Sequence, residues 1–567
     1  MPASTSIEMP RTTGYLLIGL VAASLFALRL LLPSDLGDKA QEQFAAYVLD
    51  AVHNGHWISQ YHIDGSVTSK PPLYTWLAAI ATLPFEKANL FALYLPCAIA
   101  TLGIAWLLYG TGTASFNSSA GLLAGLTYLL SHVAAKQIAL ARPDGVFALC
   151  ITIAAVTAYR AWVLGRGWTW FWMASAAATL TKGPLGLLLA SGGLLAVLWE
   201  KRSGHPTGLR GTHWPGVGLF LLMTVGWFAL AYHAVGQPLI DKMIFRELFG
   251  HAIRDYRGSL PLEHFYLTPI HFALRFAPWS LFALLGFWRV WRSPSDNPNE
   301  RRFERFVFCW FFSGLIVFSL AAHQRGDLLF PLIPAAALMA GRELARLTGS
   351  LKRPIFLAAS AFVVLVVFAG NALYYGGWIQ RGVRFEQTQG MQQLAAAVRQ
   401  QTGENFPLVY VDTRFALQFF LNTFSPLVSP ERAGQLLSGE AAVFVAVIDY
   451  DAVRSRLLNK SLQLYEVARW PLSDSPHIRI ISNHPRLEWT EEMVSISHSI
   501  LFRLHHVRLL KRHGMDFTVQ RISGSGWIEL VNESNQPHLV RVTIAGEGKA
   551  DTKERLLEAG ALWRVEL

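Results

Sequence analysis

Two acidic residues, Asp38 and Glu42, lie four positions apart in a polar stretch that follows the first long apolar run of the chain. On a helix, residues four apart share one face, so both carboxylates would point the same way. A carboxylate at the edge of a membrane pocket can bind a metal ion or accept the proton of an incoming hydroxyl group. The alternative is an ordinary solvated loop, and the spacing alone does not exclude it.

Charged residues also stand at the ends of later apolar runs. Arg142 and Asp144 suggest an ion pair at the mouth of two apolar segments, where charge is costly unless satisfied, so a functional site is the default interpretation. Lys182 precedes Gly183 and Pro184, which open the backbone and suit a bound phosphate group. A structural ion pair and a lysine that snorkels to the interface are the respective alternatives.

Two further segments between apolar runs are rich in charged and histidine side chains. They contain Arg246, Glu247, His251, Arg254, Asp255, Tyr256, Arg257 and His264 in one case, and His323, Arg325 and Asp327 in the other. If the N-terminus is cytoplasmic, all of these candidate groups fall on the outer side of the membrane. Cations and carboxylates gathered on one side fit a site for an anionic, lipid-linked substrate.

The elements that must position these groups are membrane-spanning helices. The chain has 567 residues, of which 52% are hydrophobic and 15% are charged, whereas a soluble protein carries about 25% charged residues. The net charge of +11 resides in connectors between apolar runs, which is typical of cytoplasmic loops and argues against nucleic acid as a partner. Cys97, Cys150 and Cys309 lie inside apolar stretches and indicate neither disulfides nor a zinc site.

The hydropathy pattern predicts a polytopic α-helical membrane protein with about eleven transmembrane helices. The segment 14–32 can span a bilayer and lacks a signal-peptide cleavage pattern, so we expect it to be the first of them. The others are predicted at 88–110, 117–134, 144–163, 168–181, 184–199, 214–234, 267–288, 306–321, 328–340 and 355–376. Residues 34–83 form an outer loop, whose aromatic segment 73–83 suits an interfacial helix.

Basic residues determine the expected orientation. With the N-terminus inside the cell, the larger basic clusters fall on the cytoplasmic side, namely Arg160, Arg166, Lys201, Arg202, Arg210, Arg289, Arg292, Arg301, Arg302, Arg305, Arg342, Arg346, Lys352 and Arg353. This distribution agrees with the positive-inside rule and leaves everything after residue 377 outside the cytoplasm. We therefore expect a transmembrane catalytic domain over 1–376 and a periplasmic soluble α/β domain over 377–567.

The C-terminal part has the alternation of a soluble domain. Its pattern predicts strands at 407–411 and 442–448, helices at 387–401 and 451–459, and further strands near 527–531 and 539–544. No segment in it resembles a catalytic motif. We expect it to act as a cap near the mouth of the active site, and a separate binding or sensing module is the alternative.

Taken in order, the motifs resemble those of the bacterial aminoarabinose transferases of lipid A and of the related protein mannosyltransferases, both members of the GT-C glycosyltransferase superfamily. The shared segments are Asn54-Gly55-His56-Trp57, Lys70-Pro71-Pro72-Leu73-Tyr74-Thr75-Trp76-Leu77, Ala141-Arg142-Pro143-Asp144, Thr181-Lys182-Gly183-Pro184, Glu247 through His251 to Arg254, Pro278-Trp279, and Arg325 to Pro334. The resemblance covers residues 14–375, and the Lys-Pro-Pro-Leu block is its most specific part.

The resemblance implies an inverting transfer of a sugar from an undecaprenyl- or dolichyl-type phosphate carrier. An acid of the first outer loop would lie near the acceptor nucleophile, so Asp38 and then Glu42 are the candidates, and Asp144 looks like the second acidic residue of the family. The implied contacts to the donor phosphate are Lys70, Arg142, Lys182, Arg254 and Arg325. Such cations would stabilise the negative charge that develops on the departing lipid phosphate.

The chain departs from the family pattern at two places. Aminoarabinose transferases have an Asp-Glu pair at a fixed distance before the Gly-x-Trp motif. This chain has Ala40 and Gln41 at those two positions. Asp38 or Glu42, which lie close by in the sequence, must therefore take the place of the family's acidic pair. They also have a glutamate before Lys-Pro-Pro that can hold a metal ion together with a histidine like His251. Ser69 stands there instead, which argues against a divalent metal ion as a cofactor and allows an acceptor other than lipid A.

We therefore expect a multi-pass glycosyltransferase of a bacterial inner membrane, with a polyprenyl-phosphate sugar as donor and lipid A, another glycan or a protein as acceptor. The sequence distinguishes neither the sugar nor the acceptor. The alternative from another class is a transporter or flippase for a lipid or an anionic solute. Such a protein would have paired broken helices or symmetric halves with charges at the membrane midplane, whereas the charges here lie at the outer rim.

Overall fold

The computed structural model describes most of the chain. The described residues are 10–34, 36–68, 70–85, 87–205, 207–243, 245, 265–321, 326–349, 353–376, 383–402, 408–439, 443–458, 461–470, 478–483, 492–496, 500–513, 515–521, 524–532, 536–545 and 550–567. The chain forms two compact units. The helical unit comprises Met1–Pro33, Thr68–Ala81 and Leu90–Gln380, and the mixed unit comprises Ser34–Val67, Thr82–Asn89 and Arg381–Leu567.

Long apolar helices dominate the helical unit. Seven helices in the described part of the chain are long and apolar enough to cross a membrane, namely Arg11–Leu31, Leu90–Ser115, Asp144–Leu164, Trp214–Val235, Pro298–Leu320, Gly326–Thr348 and Ala358–Tyr375. The pair Leu267–Arg275 and Trp279–Arg292 passes the same test together and is bent by 119°. The expected polytopic helical membrane fold is therefore confirmed.

Shorter helices occupy the other predicted spans. The region 117–134 contains Ser118–Leu129 and the start of His132–Gln137, and the region 168–181 is the helix Trp168–Lys182. The region 184–199 consists of Leu185–Ser191, the 3-10 segment Gly192–Leu195 and the start of Ala196–Arg202. Leu73–Thr82 is the short apolar helix expected at 73–83, and Gln237–Ile240 is a single turn.

Small residues let the transmembrane helices approach each other closely. A Cβ atom added to Gly112 would lie 2.8 Å from the Cα of Gly121, so the helices Leu90–Ser115 and Ser118–Leu129 are in backbone contact. A Cβ atom on Gly341 would likewise meet the backbone of Ala124. Packing of this kind is how helices associate in lipid, where the hydrophobic effect does not drive them together.

One end of the helical bundle contains a buried ion-pair network. Glu200, Glu304 and Glu343 are each 0% exposed. Their partners are Arg305 with Glu200 at 2.8 Å, Arg289 with Glu343 at 2.7 Å, and Arg342 with Glu304 and, at 3.1 Å, with Glu343. These arginines belong to the basic clusters expected on the cytoplasmic side. Part of that basic charge is thus neutralised inside the protein.

The first half of the mixed unit is an α/β layer structure. Its four-stranded sheet has the order β1-β2-β4-β3, formed by β1 (Leu408–Tyr410), β2 (Phe444–Val447), β3 (Tyr465–Trp470) and β4 (Ile478–Ser482), with only β1 and β2 parallel. Its helices are Lys39–Asn54, Val383–Thr402, Phe415–Phe420, Pro430–Leu437 and Tyr450–Arg454. The two sheet faces carry separate apolar cores. The helices and strands predicted at 387–401, 407–411, 442–448 and 451–459 are all present.

The last part of the mixed unit is a β-sandwich. Its strands are β5 (Glu492–Ile496), β6 (Ile500–His505), β7 (Val507–His513), β8 (Asp516–Arg521), β9 (Trp527–Asn532), β10 (His538–Ala545), β11 (Asp551–Leu557) and β12 (Leu562–Glu566). They form two four-stranded sheets, ordered β11-β10-β8-β7 and β12-β9-β6-β5, around one core that includes Phe502, Phe517, Ile528 and Val542. The strands expected near 527–531 and 539–544 are β9 and β10, and the sandwich around them is an addition to the predicted α/β domain.

Candidate active site

The helical unit joins two of the charged groups that the sequence analysis treated separately. Asp144 is the first residue of the helix Asp144–Leu164, and Lys182 is the last residue of the helix Trp168–Lys182. The Nζ atom of Lys182 lies 2.5 Å from Oδ1 of Asp144. Each charge complements the dipole of its own helix, because an anion is favoured at the N-terminus and a cation at the C-terminus. The two side chains are therefore an ion pair at adjoining helix ends.

Arg142 pairs with a different carboxylate from the one the sequence suggested. Its Nη1 atom lies 3.6 Å from Oδ2 of Asp327, and Asp327 also forms an ion pair with Arg275. The backbone carbonyl of Arg142 accepts a hydrogen bond of 3.1 Å from the thiol of Cys97. This bond links Arg142, just before the helix Asp144–Leu164, to the helix Leu90–Ser115. Asp327 thus bridges two arginines, and Arg142 is not the partner of Asp144.

Two cations of this cluster were missed by the sequence analysis. Arg275 ends the helix Leu267–Arg275 and lay inside a predicted span, and Lys136 lies in the short helix His132–Gln137. Both are within electrostatic range of Asp327. The signal that could have revealed them is the presence of a basic side chain within or beside an apolar run, which is costly unless it has a partner or a function.

The cluster has an excess of positive charge. Among the described residues it contains the cations Lys136, Arg142, Lys182 and Arg275 and the carboxylates Asp144 and Asp327, which are four positive and two negative charges. Guanidinium and ammonium groups in surplus suit a phosphate, which accepts charge-assisted hydrogen bonds from both. We call these six residues the cation cluster.

Lys70 also belongs to the helical unit. Its backbone N–H donates a bond of 3.1 Å to Oγ1 of Thr68, just before the helix Leu73–Thr82. In that helix, the buried hydroxyl of Tyr74 donates a bond of 2.9 Å to the carbonyl of Leu93, which ties the Lys-Pro-Pro-Leu block to the next helix. The contact of Lys70 with a donor phosphate stays a prediction.

The two acids of the first outer loop lie in the mixed unit, at the start of the helix Lys39–Asn54. Asp38 is the N-cap, and its Oδ1 accepts a bond of 3.0 Å from the backbone N–H of Ala40. Glu42 is 5% exposed and faces Arg414, with Nε 3.3 Å from Oε1 and Nη2 3.4 Å from Oε2. The sequence analysis did not single out Arg414, because nothing local relates it to Glu42.

Burial governs the ionisation of Glu42. Desolvation raises the pKa of its carboxyl group to about 7, although the positive charge of Arg414 and a hydrogen bond from the backbone N–H of Ala416 both lower the pKa. The nearby charge of Asp38 adds a small increase to the pKa of Glu42. A carboxylate with a pKa near neutrality can accept and release a proton at physiological pH, which is the requirement for a general base.

The Asn54-Gly55-His56-Trp57 motif has a structural role in the same loop. Oδ1 of Asp50, a residue that is 0% exposed, accepts a bond of 2.8 Å from Asn54 Nδ2 and lies 2.9 Å from His56 Nδ1. Gly55 has a φ of 74°, which ends the helix and turns the chain back towards Asp50. The motif thus closes the helix onto a buried carboxylate.

Several predicted site residues lie outside the described part of the chain. These are His251, Arg254 and Arg325, together with Ser69. Within the described ranges, no group of three histidine, cysteine, aspartate or glutamate side chains is arranged to hold a metal ion. The roles of Arg254 and Arg325 as phosphate contacts therefore remain predictions.

Comparisons with known proteins support the predicted resemblance. Residues 69–229 match the family Dolichyl-phosphate-mannose-protein mannosyltransferase. That segment contains Lys70, Arg142, Asp144 and Lys182. Two uncharacterized proteins of Aquifex aeolicus (strain VF5) are similar, one 25% identical over 277 residues and the other 24% identical over 330 residues. The alignments cover 48% and 58% of this chain, and about half (52%) of the first relative and 71% of the second.

The fold has a counterpart among solved structures. The crystal structure of ArnT from Cupriavidus metallidurans in the apo state matches with a TM-score of 0.62 and 17% identity, over 84% of this chain and 99% of that one. The structure of the same protein bound to undecaprenyl phosphate matches with a TM-score of 0.60 and 17% identity, over 84% of this chain and 98% of that one. The family match and this likeness confirm the resemblance inferred from the motifs: the chain is a multi-pass membrane protein with the fold of ArnT, and its residues 69–229 are similar to the mannosyltransferase family.

Proposed function

We propose that the chain is an integral membrane glycosyltransferase of a bacterial inner membrane. It transfers a sugar from a polyprenyl-phosphate donor to a lipid, glycan or protein acceptor on the periplasmic side. The observation that carries this proposal is the cation cluster, in which four basic side chains and two carboxylates lie at or near helix ends of the helical unit. The undecaprenyl phosphate bound to ArnT, a protein of the same fold, supports this choice of donor.

The cation cluster serves the donor. A phosphate that enters it takes over the basic groups that now pair with Asp144 and Asp327. When the bond between the sugar C1 atom and the phosphate oxygen breaks, the bonding electrons remain on the lipid phosphate. Arg142, Lys182 and Lys70 stabilise that charge, and preorganised cations in a dry site are effective at this step. Arg254 and Arg325 are further proposed contacts.

The acids of the first outer loop serve the acceptor. The acceptor oxygen attacks C1 from the face opposite the phosphate, which inverts the configuration, and its proton passes to a carboxylate. Of the two candidates, Glu42 is better suited to accept and release a proton at neutral pH, because burial raises the pKa of its carboxyl group to about 7. Asp38 is the other candidate, and its carboxylate already caps the helix Lys39–Asn54.

The first experiment identifies the sugar and the acceptor together. The gene is deleted in its own host, and lipid A, surface polysaccharide and envelope proteins are compared by mass spectrometry. Loss of a hexose, pentose or amino-sugar increment from one class supports the proposal and names both substrates. An unchanged envelope, under conditions where the protein is made, contradicts it.

The second experiment separates a transferase from a lipid flippase. The purified protein is reconstituted in liposomes with undecaprenyl-phosphate sugars, and both sugar transfer and movement of the lipid across the bilayer are measured. Arg142→Ala is expected to abolish transfer, whereas Lys201→Ala, an exposed cation on the helix Ala196–Arg202, leaves it unchanged. Lipid movement that needs no sugar transfer would favour the flippase.

A further inference from the structure

The start of the helix that carries both candidate acids is held by residues from the far end of the chain. Within the mixed unit, Arg414 donates from Nη2 to the carbonyl of Gly37 at 2.5 Å and pairs with Glu42. The backbone N–H of Gly37 donates a buried bond of 2.9 Å to Oγ1 of Thr388. Glu42 and Arg414 are 372 positions apart in the sequence. The loop before the helix is therefore fixed by the C-terminal region.

The guanidinium of Arg414 has the geometry of an orienting group. Its planar fork contacts both carboxylate oxygens of Glu42 and the backbone of Gly37, which constrains the side chain and the helix start together. Arg414 is itself the residue before the helix Phe415–Phe420, and the backbone N–H of Ala416 in that helix also bonds the carboxylate of Glu42. Two groups of one C-terminal segment thus bind one carboxylate of the outer loop.

Among the described residues, Glu42 is influenced by two charged groups. Arg414 lies on the segment packed against it, and Asp38 lies at the start of its own helix. Burial favours the protonated acid, while Arg414 favours the carboxylate. Without Arg414, only the hydrogen bond from the backbone N–H of Ala416 would oppose burial, and the pKa of Glu42 would rise above 7.

We propose that Arg414 is a positioning residue for the Glu42 carboxylate, so that the C-terminal region supplies part of the catalytic apparatus and is more than a cap. This inference rests on the proposed function in assigning Glu42 to proton transfer. Arg414 contacts neither donor nor acceptor in this scheme. It orients the carboxylate and keeps the ionised form available at neutral pH.

The test is a pH profile of kcat/KM in the full-length protein, with the undecaprenyl-phosphate sugar that the unmodified protein turns over. A general base acts when deprotonated, so the rate rises as pH passes its pKa. Arg414→Ala is expected to move this rise upward by about one unit or more, since a charge at this distance shifts a carboxyl pKa by about 1–3 units. Since the wild-type pKa is about 7, activity at pH 7 therefore falls about fivefold or more and recovers at higher pH, with donor KM unchanged.

Two sets of variants separate positioning from simple folding defects. Arg414→Lys keeps a positive charge and is expected to retain most of the wild-type profile, whereas Arg414→Gln resembles Arg414→Ala. If Arg414→Ala does not fold, the pH profiles of Arg414→Lys and Arg414→Gln still test the proposal. Arg456→Ala is the matched control, because Arg456 forms a 3.4 Å pair with Glu431 in the same unit and both side chains are more than half exposed. An unchanged profile in Arg414→Gln overturns the inference.

A spectroscopic readout keeps this inference separate from the proposed function. The protonated carboxyl band of Glu42 is assigned by infrared difference spectroscopy from its loss in Glu42→Gln, and the pH at which it disappears is measured. This pH must rise in Arg414→Gln even if no sugar is transferred. An inactive wild-type protein with a shifted band would reject only the proposed function, and an active one with an unshifted band would reject only the role of Arg414.

Discussion

Lys182 Nζ and Asp144 Oδ1 lie 2.5 Å apart, at the C-terminal end of the helix Trp168–Lys182 and the N-terminal end of the helix Asp144–Leu164. Neither charge would be tolerated easily at a helix end in lipid without the other. In the proposed function, Asp144 holds Lys182 in place, and an incoming phosphate takes over the ammonium group of Lys182.

Replacement of Lys182 is expected to affect catalysis more than replacement of its partner. Lys182→Ala removes a phosphate contact and leaves Asp144 with an uncompensated charge, so kcat/KM should fall by about 30-fold or more, which corresponds to the lower end of such truncations. Asp144→Asn should reduce it less. The double variant Lys182→Ala/Asp144→Asn is expected to lose less than the sum of the two single losses in RT ln(kcat/KM). Strict additivity would mean that the pair is not coupled.

Arg275 is expected to contribute to donor binding. Its guanidinium pairs with Asp327 beside Arg142, and hydrogen bonds to charged groups contribute about 1.5–3 kcal/mol. Arg275→Ala should therefore raise the donor KM about tenfold or more, with Arg275→Lys showing a smaller rise. The measurement is initial rate against donor concentration in liposomes. Arg292→Ala, an exposed arginine on the next helix, is the control, and equal donor KM values in both alanine variants would contradict the assignment.

Glu42 is expected to make the stability of the protein depend on pH. The pKa of Glu42 is about 7 in the folded chain against an ordinary 4.5, so between these values the folded state holds the extra proton. The contribution of Glu42 is fully present below pH 4.5 and is lost as pH rises through 7, by about 3 kcal/mol at most. The unfolding temperature of the wild type should thus fall relative to Glu42→Gln from pH 4.5 to 8. A constant difference would exclude the raised pKa.

The buried network at the other end of the bundle is expected to matter for stability alone. Arg342 is 4% exposed and pairs with Glu304 and Glu343, which are both 0% exposed. Arg342→Ala leaves two buried carboxylates without this partner, which should cost about 3–5 kcal/mol. Arg346→Ala is a matched control on the same helix. The side chain of Arg346 is 52% exposed and lies 3.5 Å from Glu343, so its removal should lower the free energy of unfolding by about 1 kcal/mol or less. Thermal unfolding in detergent compares them, and similar losses would contradict the distinction.

The class of fold and most of its helices and strands could be predicted from the sequence alone. Apolar runs such as Leu90–Ser115 are recognisable because a membrane requires a fixed length of apolar helix, whatever the rest of the chain does. The helix that starts after Asp38 and the strands β1 and β2 were equally predictable, since capping and short apolar runs are local signals. The ordered motifs, with Lys70-Pro71-Pro72-Leu73 the most specific, supplied the resemblance that the comparisons confirm.

The pairing of the charged side chains could not be predicted from the sequence and is seen in the folded structure. Arg142 pairs with Asp327 and not with Asp144, Lys182 takes Asp144, and Arg414 reaches Glu42 across 372 positions. Hydrophobic periodicity records which face of an element is buried, but it carries no information about the partner that covers that face. Ion pairs between distant segments depend on how helices and sheets pack, so they appear only once the chain is folded.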